Sequence, residues 1–272
     1  MKNIVITGST RGLGFEMARE FCTNGANVVI NGVNEKRLED SVAKLRELSG
    51  TRESGGKVEG FAGSVASADD LQGLLDFAVD KFGTIDIWIN NAGVNQPMKA
   101  IWELSEDEIN SLIDIDLRGA VLGSRIAALQ MSKQSGGGFI YNVEGYGSND
   151  AMMLGLNMYG TSKRAVTHFT RALAAELAER GSKVKAGRLS PGIMFTDFTV
   201  QSLGGQGSID LPSKTKKFYN IVGDYPDVVA EFLVRKMLVN TKNDAHIEWL
   251  TGGKIFMRFL TAPFKKEKHF EE

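Results

Sequence analysis

The sequence predicts an α/β chain of the doubly wound type, with a mostly seven-stranded parallel sheet and helices on both faces. Three observations predict it: short β-branched runs recur along the 272 residues, helical patterns separate them, and a glycine-rich turn joins the first run to the first helical pattern. Parallel strands need long crossover connections, so this alternation implies right-handed βαβ units and a sheet covered on both sides.

Strands are expected at Asn3 to Thr7, Asn27 to Asn31, Lys57 to Ala62 and Ile85 to Asn90, then at Phe139 to Val143, Lys183 to Leu189 and His246 to Leu250. The polar, Gly/Ser-rich stretch from Ser49 to Gly56 reads as a surface loop before the third strand. A second irregular stretch, about 196–225, follows the sixth strand. Ligands in such sheets sit beyond the carboxyl ends of the strands, so this stretch is the candidate substrate lid. The whole chain, 1–272, is expected to form one domain, with a C-terminal tail over 252–272.

Composition narrows the function classes. The 32 Lys and Arg are matched by 33 Asp and Glu, for a formal charge of −1, which gives no electrostatic case for nucleic acid. Cys22 is the single cysteine, so no internal disulfide forms; one thiolate does not make a metal centre, and no metal site is expected. No apolar run approaches the roughly 18 residues that cross a bilayer. Because the first strand begins at Asn3, no export or organelle signal is expected ahead of it, which predicts a cytoplasmic protein.

The turn after the first strand reads Thr7-Gly-Ser-Thr-Arg-Gly-Leu-Gly14 and runs straight into a helical pattern. Gly8 suits the tight turn, Gly12 lets backbone approach a pyrophosphate, and Gly14 permits close helix packing. The helix N-terminus then offers N–H groups and the positive end of its dipole to phosphate. Ser9, Thr10, Arg11 and Leu13 fill out this candidate dinucleotide cradle. An acidic residue at the end of the second strand would hold ribose hydroxyls and repel a 2′-phosphate, but here the strand ends Asn31-Gly-Val-Asn34, with no carboxylate before Glu35. Asn34 is the candidate contact at that edge. Arg11 and either Lys36 or Arg37 suit a 2′-phosphate, so the pattern favours NADP(H) over NAD(H).

Tyr159-Gly-Thr-Ser-Lys163 opens the longest helical pattern and puts Tyr159 and Lys163 on one face, a turn apart. A phenol with its ordinary pKa of about 10 exchanges protons poorly at neutral pH, and a nearby cation favours its phenolate. Tyr159 is therefore the candidate proton carrier and Lys163 its partner.

These motifs, with Asn90-Asn-Ala-Gly93 between them and Ser190-Pro-Gly192 followed by Thr196, resemble the short-chain dehydrogenase/reductase family over about Lys2 to Asp197. The resemblance implies a Rossmann fold, a nicotinamide cofactor and exchange of hydride with a carbonyl or alcohol. It implies that Asn91, Ala92 and Gly93 run along the adenosine side of the cofactor, that Pro191, Gly192, Ile193 and Thr196 border the nicotinamide and its phosphates, and that Lys163 also holds the nicotinamide ribose. It implies too a homodimer or homotetramer formed through the helices around Ser105 to Leu117 and after Tyr159.

Three departures stand out. The family places a Ser ahead of the catalytic Tyr, where this chain has Glu144 and Gly145. The oxyanion partner is then Ser148 reaching back, Tyr146, or a backbone N–H. The Asn that the family keeps near the Lys is Asp116 here, which should raise the Lys163 pKa and alter the proton relay. Ser64, with Val65 beside it, stands where an Asp usually meets adenine.

The stretch Asn142-Val-Glu-Gly-Tyr-Gly-Ser148, with Leu189-Ser-Pro-Gly-Ile-Met194, Lys217-Phe-Tyr-Asn220 and Trp249-Leu-Thr251, resembles the chlorophyll b reductase branch, whose members reduce a formyl group with NADPH. The expected substrate is a bulky apolar carbonyl or alcohol, and hydroxysteroid and 3-oxoacyl chemistry are the neighbouring options. The competing class is a cofactor-sensing protein that has lost turnover; the missing Ser favours it, and the intact Tyr159 and Lys163 oppose it. In the tail, helical spacing places Ile255, Phe256, Phe259 and Leu260 on one face, suited to peripheral membrane contact, a substrate cover or a subunit contact.

Overall fold

The computed structural model describes residues 1–50, 56–195 and 213–262. Seven strands form one sheet in the order β3-β2-β1-β4-β5-β6-β7. They are β1 (Asn3–Ile6), β2 (Asn27–Gly32), β3 (Val58–Ala62), β4 (Ile87–Asn90), β5 (Gly138–Val143), β6 (Val184–Ser190) and β7 (Ala245–Glu248). Every neighbouring pair is parallel. The order reverses at β1, which pairs with β2 on one side and β4 on the other, and this switch opens a crevice at the carboxyl ends.

The central strands β1 and β4 are buried at every position because both faces of the sheet are covered. Successive residues of β1 show it: Ile4 and Ile6 pack into one cluster with α1 (Gly12–Thr23), α2 (Glu35–Gly50) and α8 (Pro226–Val239), while Val5 points into the other. That second cluster is closed by α3 (Ala68–Phe82), α5 (Gly119–Met131) and α6 (Asn157–Glu179). Beneath the crevice a fully bonded polar rung links strands to helices. Asn90 Nδ2 donates to Asn142 Oδ1 at 2.7 Å, and Asn142 Nδ2 donates to Thr170 Oγ1 at 2.8 Å. Leaving such buried amides unsatisfied would cost about 1–3 kcal/mol each, so the rung fixes β4, β5 and α6 in register.

The expected strands all form, with ends shifted by a residue or two. The expected loop from Ser49 is corrected at its start: α2 continues through Gly50, with Ser49 Oγ donating back to the Arg46 carbonyl at 3.1 Å. Residues 51–55 lie outside the described part. The candidate lid over 196–225 falls outside it up to 212, Thr196 included, and its described portion is not irregular but begins with helix α7 (Ser213–Val222).

Between β4 and β5, α4 (Glu106–Leu112) starts on a reciprocal cap in which Ser105 Oγ accepts the Glu108 N–H and Glu108 returns a carboxylate to the Ser105 N–H. It then widens into a π-helical turn, Ile113–Arg118, before α5. Such turns recur at functional sites, and this one carries Asp116 inward, where it is buried. The tail begins as α9 (Gly252–Thr261), and residues 263–272 lie outside the described part.

Candidate active site

The carboxyl ends of six strands converge on a cavity of about 990 Å³. Its floor at the β1–α1 turn is shaped by the absence of side chains. Gly8 has φ +59°, and a β carbon there would stand 2.6 Å from the Ala92 Cα; one at Gly14 would stand 2.5 Å from Asn91 Nδ2. Asn91 occupies that space because its Nδ2 donates to the carbonyls of Thr7 and Gly8 at 3.0 and 2.9 Å, while Thr7 Oγ1 accepts the N–H groups of Asn91 and Ala92. Helix α1 starts at an extended Arg11 that gives no side-chain cap, so its first amides are not taken up by an N-cap side chain. A cradle that any β carbon would fill, aimed by a helix N-terminus, fits a dinucleotide pyrophosphate.

Gly8, Thr10, Arg11, Gly12, Leu13, Gly14, Ser64, Val65, Asn91, Ala92, Gly93, Pro191, Gly192 and Ile193 all line the cavity, as do Tyr159 and Lys163. Two expected contacts do not. Ser9 is buried beneath the loop, its hydroxyl donating to the Ile6 carbonyl at 2.6 Å and accepting the Asn31 N–H at 3.0 Å, so it braces β1 against β2. Asn34 caps α2 by accepting the Arg37 N–H at 2.8 Å. Arg37 lines the cavity, whereas Lys36 lies 3.9 Å from Asp40 on the exposed helix face. Asn31, not anticipated from sequence, ties three strands: its Oδ1 accepts the Gly8 N–H and its Nδ2 donates to the carbonyls of Phe61 and Gly63.

The face that carries Tyr159 and Lys163 lies at the other end of the crevice. Tyr159 and Lys163 are both buried, with Lys163 Nζ 5.6 Å from the Tyr159 ring centre. Asp116 Oδ2 stands 3.2 Å from that ammonium, and its Oδ1 accepts the Val94 N–H at 2.7 Å. Burial pushes the Tyr159 phenol up to about 12; Lys163 pulls it down and Asp116 pushes it further up. Burial works against the Lys163 ammonium, but the charges of Asp116 and Tyr159 more than offset it and hold the lysine above its ordinary value. Gln96 sets the start of α6, accepting the Tyr159 backbone N–H at 3.0 Å and donating to the Gly155 carbonyl at 2.7 Å. No sequence signal marked it.

Ser148 is turned away. Its hydroxyl accepts the Gly145 N–H at 3.2 Å and donates to the Lys163 carbonyl at 3.3 Å, closing the turn that follows β5, and it does not line the cavity. The position facing the phenol is Gly145, where a β carbon would overlap Tyr159 Oη. Tyr146 does line the cavity, but its hydroxyl donates to the Met152 carbonyl at 3.1 Å.

Glu144, also buried, anchors the face from behind: Thr167 Oγ1 donates to its Oε1, His246 Nε2 lies 2.9 Å from its Oε2, and Arg188 reaches within 3.8 Å. Against its burial, those hydrogen bonds and charges hold Glu144 below the usual carboxylate range, and the bond to Glu144 raises His246.

Beyond the phenol the walls are apolar, formed by Met98, Ile115, Met153, Leu156, Met194, Phe195 and Phe218. Helix α9 leans on this side through Phe259, whose ring centre is 6.2 Å from that of Phe218, and through Arg258, which bonds the Val222 carbonyl and Asp224 at 2.7 Å each. Phe256, Met257 and Leu260 are left exposed on its outer face. No helix among the described residues is long and apolar enough to cross a membrane.

The family described as short chain dehydrogenase matches residues 2–205. A probable chlorophyll(ide) b reductase of Arabidopsis thaliana is 31% identical over 282 residues, an alignment spanning 100% of this chain and 55% of that protein. A chlorophyll(ide) b reductase of Oryza sativa subsp. japonica is 34% identical over 265 residues, spanning 95% of this chain and 74% of that one. The chain thus spans about half the length of the first and about three quarters of the second. Among solved structures, the 3-ketoacyl-(acyl-carrier-protein) reductase of Brucella melitensis complexed with NADH superposes with a TM-score of 0.79 at 22% identity, covering 93% of this chain and 98% of that one, a likeness of fold. Both plant relatives are chloroplastic, which overturns the cytoplasmic location expected from the sequence.

Proposed function

The chain belongs to the short-chain dehydrogenase/reductase family and is an oxidoreductase that uses a nicotinamide cofactor, and from that premise we propose that it reduces the formyl group of a bulky apolar substrate of the chlorophyll b class with NADPH. The observation that carries the reading is a buried phenol, Tyr159, lining the same cavity as the apolar side chains of Met98, Met153, Leu156 and Phe218. When bound, the nicotinamide supplies the hydride that ends on the formyl carbon. Tyr159 Oη gives its proton to the formyl oxygen and regains one from solvent. Lys163 stabilises the phenolate in the interval. The apolar walls orient a large ring system and exclude water, which strengthens every charge interaction at Tyr159.

Arg37, exposed at the cavity edge, and Arg11 in the glycine turn would receive the 2′-phosphate of NADPH, and no carboxylate at the end of β2 repels it. With Gly145 facing the phenol, the substrate oxygen relies on Tyr159 for its hydrogen bond; a bulky substrate held by apolar contact tolerates that better than a small one. The chain is mixed with NADPH and chlorophyllide b, and the product is read by mass and by the loss of the formyl-shifted absorption band. A hydroxymethyl product appearing with stoichiometric NADPH consumption is the expected result. NADPH binding without any reduction of chlorophyllide b, or of other large apolar aldehydes, would favour the cofactor-sensing alternative instead.

A further inference from the structure

We infer that Asp116 is a positioning residue for the proton of Tyr159: it takes up the charge of Lys163 and so keeps Tyr159 a proton donor through the neutral range, confining alcohol oxidation to alkaline pH. The inference rests on the reading of Tyr159 as the proton carrier.

A buried ammonium needs one counter-charge, since burying it alone is far more costly than burying it paired. Two groups near Lys163 can carry that negative charge, the carboxylate of Asp116 and the phenolate of Tyr159. Geometry gives the place to Asp116. Its Oδ2 stands 3.2 Å from Nζ, the two side chains are 0% and 7% exposed, and the Val94 N–H fixes its other oxygen. Gly93 backs the pair closely, since a β carbon there would lie 3.3 Å from Lys163 Nζ and 3.4 Å from Asp116 Oδ1. The π-helical turn at Ile113–Arg118 is what swings this carboxylate inward.

The family pattern has a neutral Asn at this place, which leaves the phenolate as the natural partner of the ammonium. With Asp116 present, a phenolate and a carboxylate would compete for one cation, and the phenol therefore holds its proton more tightly. The charged side chains that face Tyr159 among the described residues are Lys163, from its own helix, and Asp116; Glu144, though close, is bonded to Thr167 and His246. Burial is the main cause that raises the Tyr159 phenol, and the charge of Asp116 adds to it in the direction the geometry requires.

The two directions use Tyr159 differently. In reduction a C–H bond forms on the carbonyl carbon from the hydride, the phenol O–H breaks, and its proton goes to the oxygen. In oxidation the alcohol O–H proton must pass to a phenolate as hydride leaves carbon for the oxidised nicotinamide. A site that holds the phenol protonated serves the first at neutral pH and the second only in alkali.

The test titrates Tyr159 by tyrosinate absorbance, as the difference between the wild-type chain and its Tyr159→Phe variant, with and without Asp116→Asn, in the presence of NADP⁺. The Asn variant should titrate about one pH unit lower or more, and its alkaline limb of hydroxymethyl oxidation should move down with it, a gain of about tenfold at a fixed pH below the limb. Asp116→Ser, neutral and smaller, should shift the titration the same way and serves if the Asn variant fails to fold. An unchanged Tyr159 titration in a folded neutral variant overturns the inference. A shifted titration in a protein that reduces no pigment aldehyde upholds it and removes the substrate reading instead.

Discussion

The glycine turn between β1 and α1 is shaped by backbone, and the Tyr159 face at the β5–α6 end is shaped by charge. At the cradle, Gly8 and Gly12 have positive φ, and at Gly8 and Gly14 a β carbon would strike Ala92 or Asn91. Steric exclusion of that kind admits one residue type, so the glycine pattern is intact. Around Tyr159 the structure sets a balance of charge on the buried Lys163, and more than one arrangement of groups can set such a balance. Two of the chain's three departures from its family fall there, at Asp116 and at Glu144 with Gly145, while the third, Ser64, lies on the cofactor side outside the glycine turn. A shape problem has one solution, whereas an electrostatic problem can be solved again with different groups.

The sharpest break between the two regions is Tyr159→Phe. Removing the donor oxygen should lower kcat by about a thousandfold, the usual contribution of a positioned acid, while NADPH affinity measured by fluorescence titration stays near wild type. Gly8→Ala should do the reverse. It forces a side chain onto φ +59° and against the Ala92 backbone, so NADPH binding should weaken by about a hundredfold through strain of about 3 kcal/mol, with kcat at saturating cofactor largely kept. A glycine variant that lost kcat and kept affinity would show that the two regions do not divide cofactor binding from proton transfer.

Glu144→Gln probes the support of the Tyr159 face. Glu144 is held below its ordinary 4.5, so its contribution to stability is complete above that value and is lost as pH falls through its lower folded one. His246 is held above its ordinary 6.5, so its contribution is complete below 6.5 and is lost as pH rises through its higher folded value. The clamp is therefore fullest between 4.5 and 6.5. The Gln variant should be less stable in that window by about 2 kcal/mol, a figure reduced from that of a fully buried pair because the His246 side chain is 38% exposed. Urea denaturation at several pH values reads it, and a stability gap that does not change with pH would remove His246 from the clamp.

How much of this was legible in the sequence follows the range of the interactions. The strands, the glycine turn and the Tyr159–Lys163 pair depend on local periodicity and spacing, and all were readable. Local hydroxyls and amides were misread because they had nearer employment: Ser9 braces two strands, Asn34 caps a helix, and Ser148 closes its own turn. The residues that sequence left unmarked act at long range. Gln96 meets Tyr159 across 63 positions and His246 meets Glu144 across 102, and no periodicity encodes such distances. The π-helical turn was equally invisible, since its residues Ile113–Arg118 read as ordinary helix; the approach of Asp116 to Lys163 was expected from the family resemblance alone, and the packing shows the turn that carries it there.

Arg37 gives the mildest and most discriminating test on the cradle side. It sits in the first turn of α2 just past the end of β2, exposed and on the cavity wall, where an acidic residue in this fold would hold ribose hydroxyls. A guanidinium binds phosphate by charge-assisted, often bidentate bonds, but at an exposed site solvent screens it, so the effect must be modest. Arg37→Ala should weaken NADPH by about tenfold, or about 1.4 kcal/mol, and leave NADH unchanged, because only the former carries the 2′-phosphate. The loss should shrink as salt is raised, since the attraction is screened. Equal losses for the two cofactors would mean that Arg37 supports the α2 start rather than the phosphate, and the proposed preference for NADPH would then have to rest on Arg11 within the glycine turn.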